Sequence, residues 1–322
     1  MLKEIAAILK NSKRVLITTH INPDGDGIGS GIALMMALNK INKDKEITAR
    51  FVIDDIPPSY VEYLEGSILI ENFEAVTTRF EFDTVVSLDS ATKERIGRVI
   101  SFVKEETNFI NIDHHISNTK FAKLNYIDDS SSSTAEIIYK LAIELGAEID
   151  RDIGEPLYAG IINDTGNFSH DNVSAETFRI ASELRATGVN TEFAVRNMFN
   201  MKSLAALKIN GNVLENMKFY EEVNLTFGVV SKAYMESVGG TKGDTEGIVD
   251  SLRSYEKCEV ALFLREDKDG IYKGSLRSNG PDVNVIAEIF GGGGHVKAAG
   301  FSSNKSPEEI VEIVISQLKK QK

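Results

Sequence analysis

One cysteine, five histidines, six prolines and no tryptophan stand among 322 residues. The lone Cys258 excludes an internal disulfide framework and suits a reducing, cytoplasmic compartment. No apolar run reaches the roughly 20 residues that span a bilayer, so no membrane segment is expected. Residues 1–10 mix charged and apolar side chains and do not read as a signal peptide. Basic charge is in short supply: 36 Lys and Arg against 48 Asp and Glu leave a net charge of −12. That argues against grip on long duplex nucleic acid, which needs a basic face. A short or mononucleotide substrate stays open. Repeats and low-complexity tracts are missing as well. With 42% hydrophobic and 26% charged residues, the chain reads as a globular protein long enough for two domains.

Three of the five histidines fall in acidic clusters. The clusters are His20-Ile-Asn22-Pro-Asp24-Gly-Asp26, then Asp89, then Asp113-His114-His115, then Asp164-Thr165-Gly166. Asp24 and Asp26 are expected in a glycine-rich loop after a strand, where the backbone can bend until His20, Asp24 and Asp26 converge. Taken alone that loop is equally a polar turn whose side chains cap their own backbone. Asp89 and Asp164 taken alone are unremarkable turn residues. His114 and His115, if extended, point to opposite sides, one toward a metal and one toward substrate. Together the clusters supply oxygen and imidazole ligands without thiolate. That set suits a hard or borderline divalent ion such as Mn²⁺ or Mg²⁺.

Periodicity places the clusters. A short amphipathic helix is expected over 2–9. Strands are expected over 14–19, 46–53, 84–88 and 108–112, and helices over 29–39, 133–145 and 174–187. The segment 157–162 fits helix or strand. Alternating strands and helices imply an α/β, doubly wound, mostly parallel sheet, with its chemistry at the carboxyl ends of the strands. His20, Asp89 and Asp113 fall there. The N-terminal domain is expected over 1–187 and a helical linker over 188–207. A smaller C-terminal α/β domain is expected over 208–322, with strands near 225–231, 258–265 and 271–277 and a helical stretch near 244–254. In this second domain Arg277-Ser278 ends a strand. Gly291, Gly292, Gly293, Gly294 and His295 follow, a run too flexible for a regular element. It is a linker or, through successive N–H groups, an anion cradle beside the Arg277 fork. Arg95 and Arg98, after Asp89, could also reach a substrate, though such arginines are more often solvated.

These motifs resemble the four motifs of the DHH phosphoesterase superfamily, and the Arg277-Ser278 and Gly-Gly-Gly-His segments resemble its DHHA1 domain. The two-domain layout is similar to the nanoRNase and pAp-phosphatase branch. The resemblance implies two Mn²⁺ ions, with Mg²⁺ or Co²⁺ as substitutes. His20 and Asp24 would hold the first ion, and Asp26, His114 and Asp164 the second, with Asp89 as bridge. Asp113 would orient a neighbouring histidine, and His115 would meet the scissile phosphate. Arg277, Ser278, Gly292, Gly293, Gly294 and His295 would grip a nucleotide phosphate, with Asn22 supporting the first loop or touching phosphate. The implied activity is hydrolysis of short oligoribonucleotides to mononucleotides, or of pAp to AMP, by activated water in a cleft between the domains. Cyclic di-AMP hydrolysis and pyrophosphatase or polyphosphatase activity are the alternatives. A non-catalytic nucleotide-binding module and a processive exonuclease fit less well. Oligomeric state is open, and an edge strand could support a homodimer.

Overall fold

Strand β1 (Arg14–Thr18) shows how the first sheet divides its side chains. Val15 and Ile17 pack into one core and Leu16 into another on the opposite face. The same alternation puts Val86 and Leu88 on one side of β4 (Thr84–Leu88) and Val85 on the other. Both faces are covered, so the strands read as continuous apolar runs, as in a parallel sheet flanked by two layers. The protein is described here by a computed structural model covering residues 1–42, 47–76, 81–268 and 270–321. The expected strand over 46–53 is observed as β2 (Thr48–Ile53), and Glu46 lies outside the described residues.

The other strands of this sheet are β3 (Ile70–Asn72), β5 (Asn108–Asp113) and β6 (Leu124–Ile127). The order is β3-β2-β1-β4-β5-β6, with every pair parallel. That order reverses between β1 and β4, the position at which such sheets open a crevice at their carboxyl ends. Helices α1 (Leu2–Asn11), α2 (Gly25–Ile41), α3 (Thr134–Leu145), α4 (Arg151–Asp164) and α5 (Ala175–Ala186) fill one face. Ser133 caps α3 through the Glu136 N–H, and Ser174 and Thr177 form a capping box on α5. The ambiguous segment 157–162 is helical, inside α4. A short helix α6 (Thr191–Val195) and a π-helical turn over Arg196–Asn200 complete the unit.

The contacts divide the chain into Met1–Met201 and Lys202–Lys322, a break inside the segment expected as linker. The second unit has strands β7 (Lys218–Tyr220), β8 (Leu225–Val230), β9 (Val260–Lys268), β10 (Ile271–Ser278), β11 (Gly293–His295) and β12 (Ala298–Ser303). They form a mixed sheet in the order β11-β12-β10-β9-β8-β7. Helices α7 (Leu204–Glu215), α8 (Lys232–Ser237) and α9 (Ile248–Arg253) cover one face. Helices α10 (Asn284–Ile289) and α11 (Pro307–Gln321) cover the other. The glycine run is not the irregular segment that flexibility alone suggests. Gly293–His295 pairs antiparallel with Ala298–Gly300, because a chain without side chains can approach its neighbour closely. A side chain at Gly292 would put its Cβ 2.2 Å from the Gly300 carbonyl oxygen. Among the described residues no helix is long and apolar enough to cross a membrane.

Candidate metal centre

His20 lies just past β1, Asp89 just past β4, and His114 and His115 just past β5. The three strand ends therefore converge at the crevice. Asp24 and Asp26 depart from expectation: they belong to a helix start, not to a loop. Asp24 is the N-cap of α2, accepting the N–H groups of Asp26 and Gly27, and Asp26 sits in the first turn. A carboxylate at a helix N-terminus is favoured by the exposed N–H groups and the dipole. Asp164 is the last residue of α4, where the dipole disfavours an anion.

The fully buried Asp89 is shared by both sets of ligand atoms. Its Oδ2 lies 3.4 Å from His20 Nε2, which is 3.9 Å from Asp24 Oδ2. Its Oδ1 lies 3.7 Å from His114 Nε2 and 3.5 Å from His115 Nδ1. His114 Nε2 is in turn 2.9 Å from Asp164 Oδ2. Three triplets each bring their ligand atoms within 4.8 Å: His20-Asp24-Asp89, Asp26-His114-Asp164 and Asp89-His114-His115. The two histidines do not diverge as an extended pair would. The strand ends at Asp113, and their rings lie 4.6 Å apart, both toward Asp89.

The electrostatics fit a cation. Burial, then the charges of Asp89 and Asp164, push Asp24 up to about 6. Burial and the same two neighbours hold Asp26 well above the usual carboxylate range. Burial alone would lower His114, but contact with Asp164 and the charges of Asp26 and Asp89 raise it to about 10. Protons are thus held where positive charge is lacking. His114 Nε2 is buried between the Asp164 and Asp89 carboxylates, so the position that a cation would take is held by a proton. Four carboxylates and three imidazoles, with no thiol, match hard or borderline divalent ions.

Several supporting residues escaped the sequence reading. The Thr134 and Ala135 N–H groups at the start of α3 donate to Asp26 at 2.6 and 2.8 Å, and the Thr134 hydroxyl donates to Asp89 at 3.2 Å. Nothing in the sequence around 130–135 signals this contact. Asn163 accepts the Gly25 N–H at 3.3 Å and donates to Asp164 Oδ1 at 3.0 Å, tying α2 to the end of α4. Asn118, also not foreseen, donates its amide at 2.6 Å to Asp113, the residue expected to orient a histidine, which accepts from His115 Nδ1 at 2.7 Å. Only adjacency in sequence could have hinted at Asn163.

The expected substrate contacts fare unevenly. Arg98 turns to Asp54 at 2.6 Å and Glu74 at 3.2 Å, so its charge is engaged within the fold. Arg95 instead lies beside His20, 3.0 Å from Nδ1, and can donate to that nitrogen only in the tautomer whose hydrogen is on Nε2. In the tautomer that leaves Nε2 free to ligate, Nδ1 carries its hydrogen to the Ile21 carbonyl at 2.9 Å. Asn22 is exposed in a left-handed conformation, and its N–H donates to Asp55. In the second unit Arg277 is half-buried with its Nε 3.9 Å from Asp250. Ser278 is buried, its hydroxyl accepting the Gly280 N–H. Gly293, Gly294 and His295 are exposed on the edge strand β11.

A parallel sheet with this strand order and an aspartate–histidine cluster at its reversal define a metal-site hydrolase architecture. The chain belongs to the DHH family: residues 14–161 match the DHH family N-terminal domain, and residues 227–320 match the DHHA1 domain. It is a hydrolase of phosphoric esters. The bifunctional oligoribonuclease and PAP phosphatase NrnA of Thermus thermophilus is 34% identical over 98% of this chain and 93% of its own length. The Bacillus subtilis protein of the same name is 29% identical over 89% of this chain and 88% of its own. A crystal structure of an exopolyphosphatase-related protein from Bacteroides fragilis superposes with a TM-score of 0.89 at 28% identity. It covers 99% of this chain and 95% of its own.

Proposed function

We propose that this protein hydrolyses short oligoribonucleotides to mononucleotides and pAp to AMP, using two divalent ions, Mn²⁺ by preference. The observation that carries the reading is Asp89, one buried carboxylate whose two oxygens face two separate ligand sets. His20 and Asp24 would hold one ion, Asp26, His114 and Asp164 the other, with Asp89 available to both. Bound there, such a pair supplies a lowered water pKa and charge neutralisation for the phosphoryl oxygens. Asp113 fixes His115 through Nδ1, and that hydrogen bond holds the imidazole pKa above its ordinary value. His115 therefore keeps an Nε2–H for a phosphoryl oxygen or for the departing ribose oxygen. Arg277 and the Gly292–His295 segment grip a phosphate of the nucleotide, Arg277 by its fork and the glycines by backbone N–H groups. The names of the similar proteins in Thermus thermophilus and Bacillus subtilis support this substrate class.

The test is hydrolysis of an end-labelled RNA ladder, from dinucleotide upward, beside pAp and with Mn²⁺. Mononucleotide release from the shortest chains, fading with length, is the expected result. Absence of any metal-dependent nucleotide product would sink the reading and direct attention to pyrophosphate and polyphosphate.

Metal binding is expected to release protons. Asp24, with its pKa at about 6, and His114, at about 10, bind protons that a cation must displace. Affinity should therefore climb as pH rises through 6 and continue to climb toward 10. Calorimetric titration with Mn²⁺ in buffers of different ionisation enthalpy measures this. About one proton released per chain at pH 8, and more at pH 6, is expected. A flat affinity between pH 6 and 9 would contradict the ligand assignment.

A further inference from the structure

A cleft of about 710 Å³ opens on one face of the second sheet, within the C-terminal unit. Along β10 the residues alternate: Gly274, Leu276 and Ser278 are buried, while Lys273, Ser275 and Arg277 line the cleft. The register sets Lys273 directly opposite Arg265 of β9 and opposite Ser302 of β12. Two like charges directly opposed across a sheet are destabilising. Their near neighbours relieve this only in part. The Lys273 ammonium donates to the Ser302 hydroxyl at 2.6 Å, a neutral partner. Arg265 donates to the Thr245 hydroxyl at 3.1 Å and lies 3.4 Å from Asp267. Its Nε is buried with no hydrogen-bond partner. Asp267 is already shared with Lys242 at 3.1 Å. This end of the cleft thus gathers Lys242, Arg265 and Lys273 around Asp267, with Glu246 a further carboxylate on the lining, a local excess of positive charge in a chain whose net charge is −12. Local positive charge against that background attracts an anion.

Arg277 marks the other end. It is four residue steps along the strand from Lys273, a span of about 13 Å. Phosphates on a single ribose lie closer together than that. Between the two ends the wall carries Ser275 and, opposite it on β9, the largely buried Phe263, with no charge between. Phe301 lies opposite Gly274 and packs with Phe290 into the core on the other face of the sheet. Two cationic ends separated by an uncharged stretch match an oligonucleotide strand, with phosphates at the ends and the nucleoside between.

We propose that Arg265 and Lys273 form a second anion subsite, which takes an internal phosphodiester of an oligonucleotide whose terminal phosphate lies at Arg277. This rests on the oligonucleotide reading above and names the residues that set chain-length preference. A chain too short to reach the second subsite loses its contribution.

The experiment compares the full-length, metal-loaded enzyme with Lys273→Glu and Lys273→Arg on pAp and on a 5′-phosphorylated triadenylate. The readout is the ratio of the triadenylate KM to the pAp KM. Lys273 is exposed, so these changes leave the core intact. Lys273→Glu is expected to raise the ratio about ten-fold or more, and Lys273→Arg to restore it. The slope of log KM for triadenylate against log salt should fall by about 0.7 in Lys273→Glu, the share of one phosphate contact on a single strand. An unmoved ratio in Lys273→Glu, with the unaltered enzyme active on both substrates, overturns the subsite alone. An unaltered enzyme inactive on both overturns the oligonucleotide reading and the subsite with it.

Discussion

Asp89→Asn is expected to lower turnover by about three orders of magnitude, the scale on which removing one group aimed at developing charge acts. Asparagine is the informative replacement. Asp89 has φ 54, a left-handed conformation that asparagine tolerates and alanine does not. Asparagine also keeps the shape that accepts the Thr134 hydroxyl. What it removes is charge. Asp89 lies 3.4 Å from His20, 3.7 Å from His114 and 3.5 Å from His115, so bound metal should fall along with activity. The metal-free protein should gain from the change at Asp24, because Asp89 is one of the charges that push that carboxyl up to about 6. Metal content by atomic absorption, turnover on a dinucleotide and the Asp24 titration by NMR check all three. Near-normal turnover at near-normal metal content would remove Asp89 from the centre of the site.

Gly29→Ala is expected to destabilise the protein by about 3 kcal/mol, at the upper end of overpacking. Helix propensity predicts the opposite sign, since alanine in a helix interior gains about 1 kcal/mol over glycine. The close approach of α2 to α4 decides. A Cβ on Gly29 would lie 2.2 Å from the Pro156 carbonyl oxygen and 3.1 Å from the Gly160 nitrogen, both backbone atoms that cannot rotate away. The helices must separate. Asp26 stands at the start of α2 and Asp164 at the end of α4, so the Asp26-His114-Asp164 triplet should widen and bind metal more weakly. Urea unfolding with and without Mn²⁺ measures both effects. A midpoint equal to that of the unaltered protein would show that α2 and α4 can slide apart freely.

The aspartate–histidine cluster was legible because most of its residues sit where strands stop, and strand ends are marked by a switch from apolar to polar residues. Residues 14–19, 84–88 and 108–112 carry that switch plainly, and β1, β4 and β5 follow it to within a residue. Asp26 and Asp164 were found as residues but not as helix ends. Gly25, Gly27, Gly29 and Gly31 depress the helical signal of α2, although here they serve close packing. Residues 157–162 are uniformly apolar around one glycine, so no period separates helix from strand. The strands β3, β6 and β7 are only three or four residues long, too short for alternation to register. The ion pairs of Arg98 were not legible, because its partners, Asp54 and Glu74, are distant in sequence. Asn163 carries no motif, since an amide matters here through its neighbours in space.

The contact between the start of α3 and Asp26 has a consequence for the polarity of the crevice. A helix N-terminus beside the carboxyl ends of a parallel sheet is a ready receptor for phosphate. Here its first N–H groups are occupied by the protein's own carboxylate. The element that in a nucleotide fold would welcome an anion directly has been turned inward, to steady an internal one. The crevice therefore presents negative charge to an incoming phosphate ester. Recognition of the reacting group would pass from the backbone to a cation held by the acidic side chains, and that ion would be the substrate's first point of attraction.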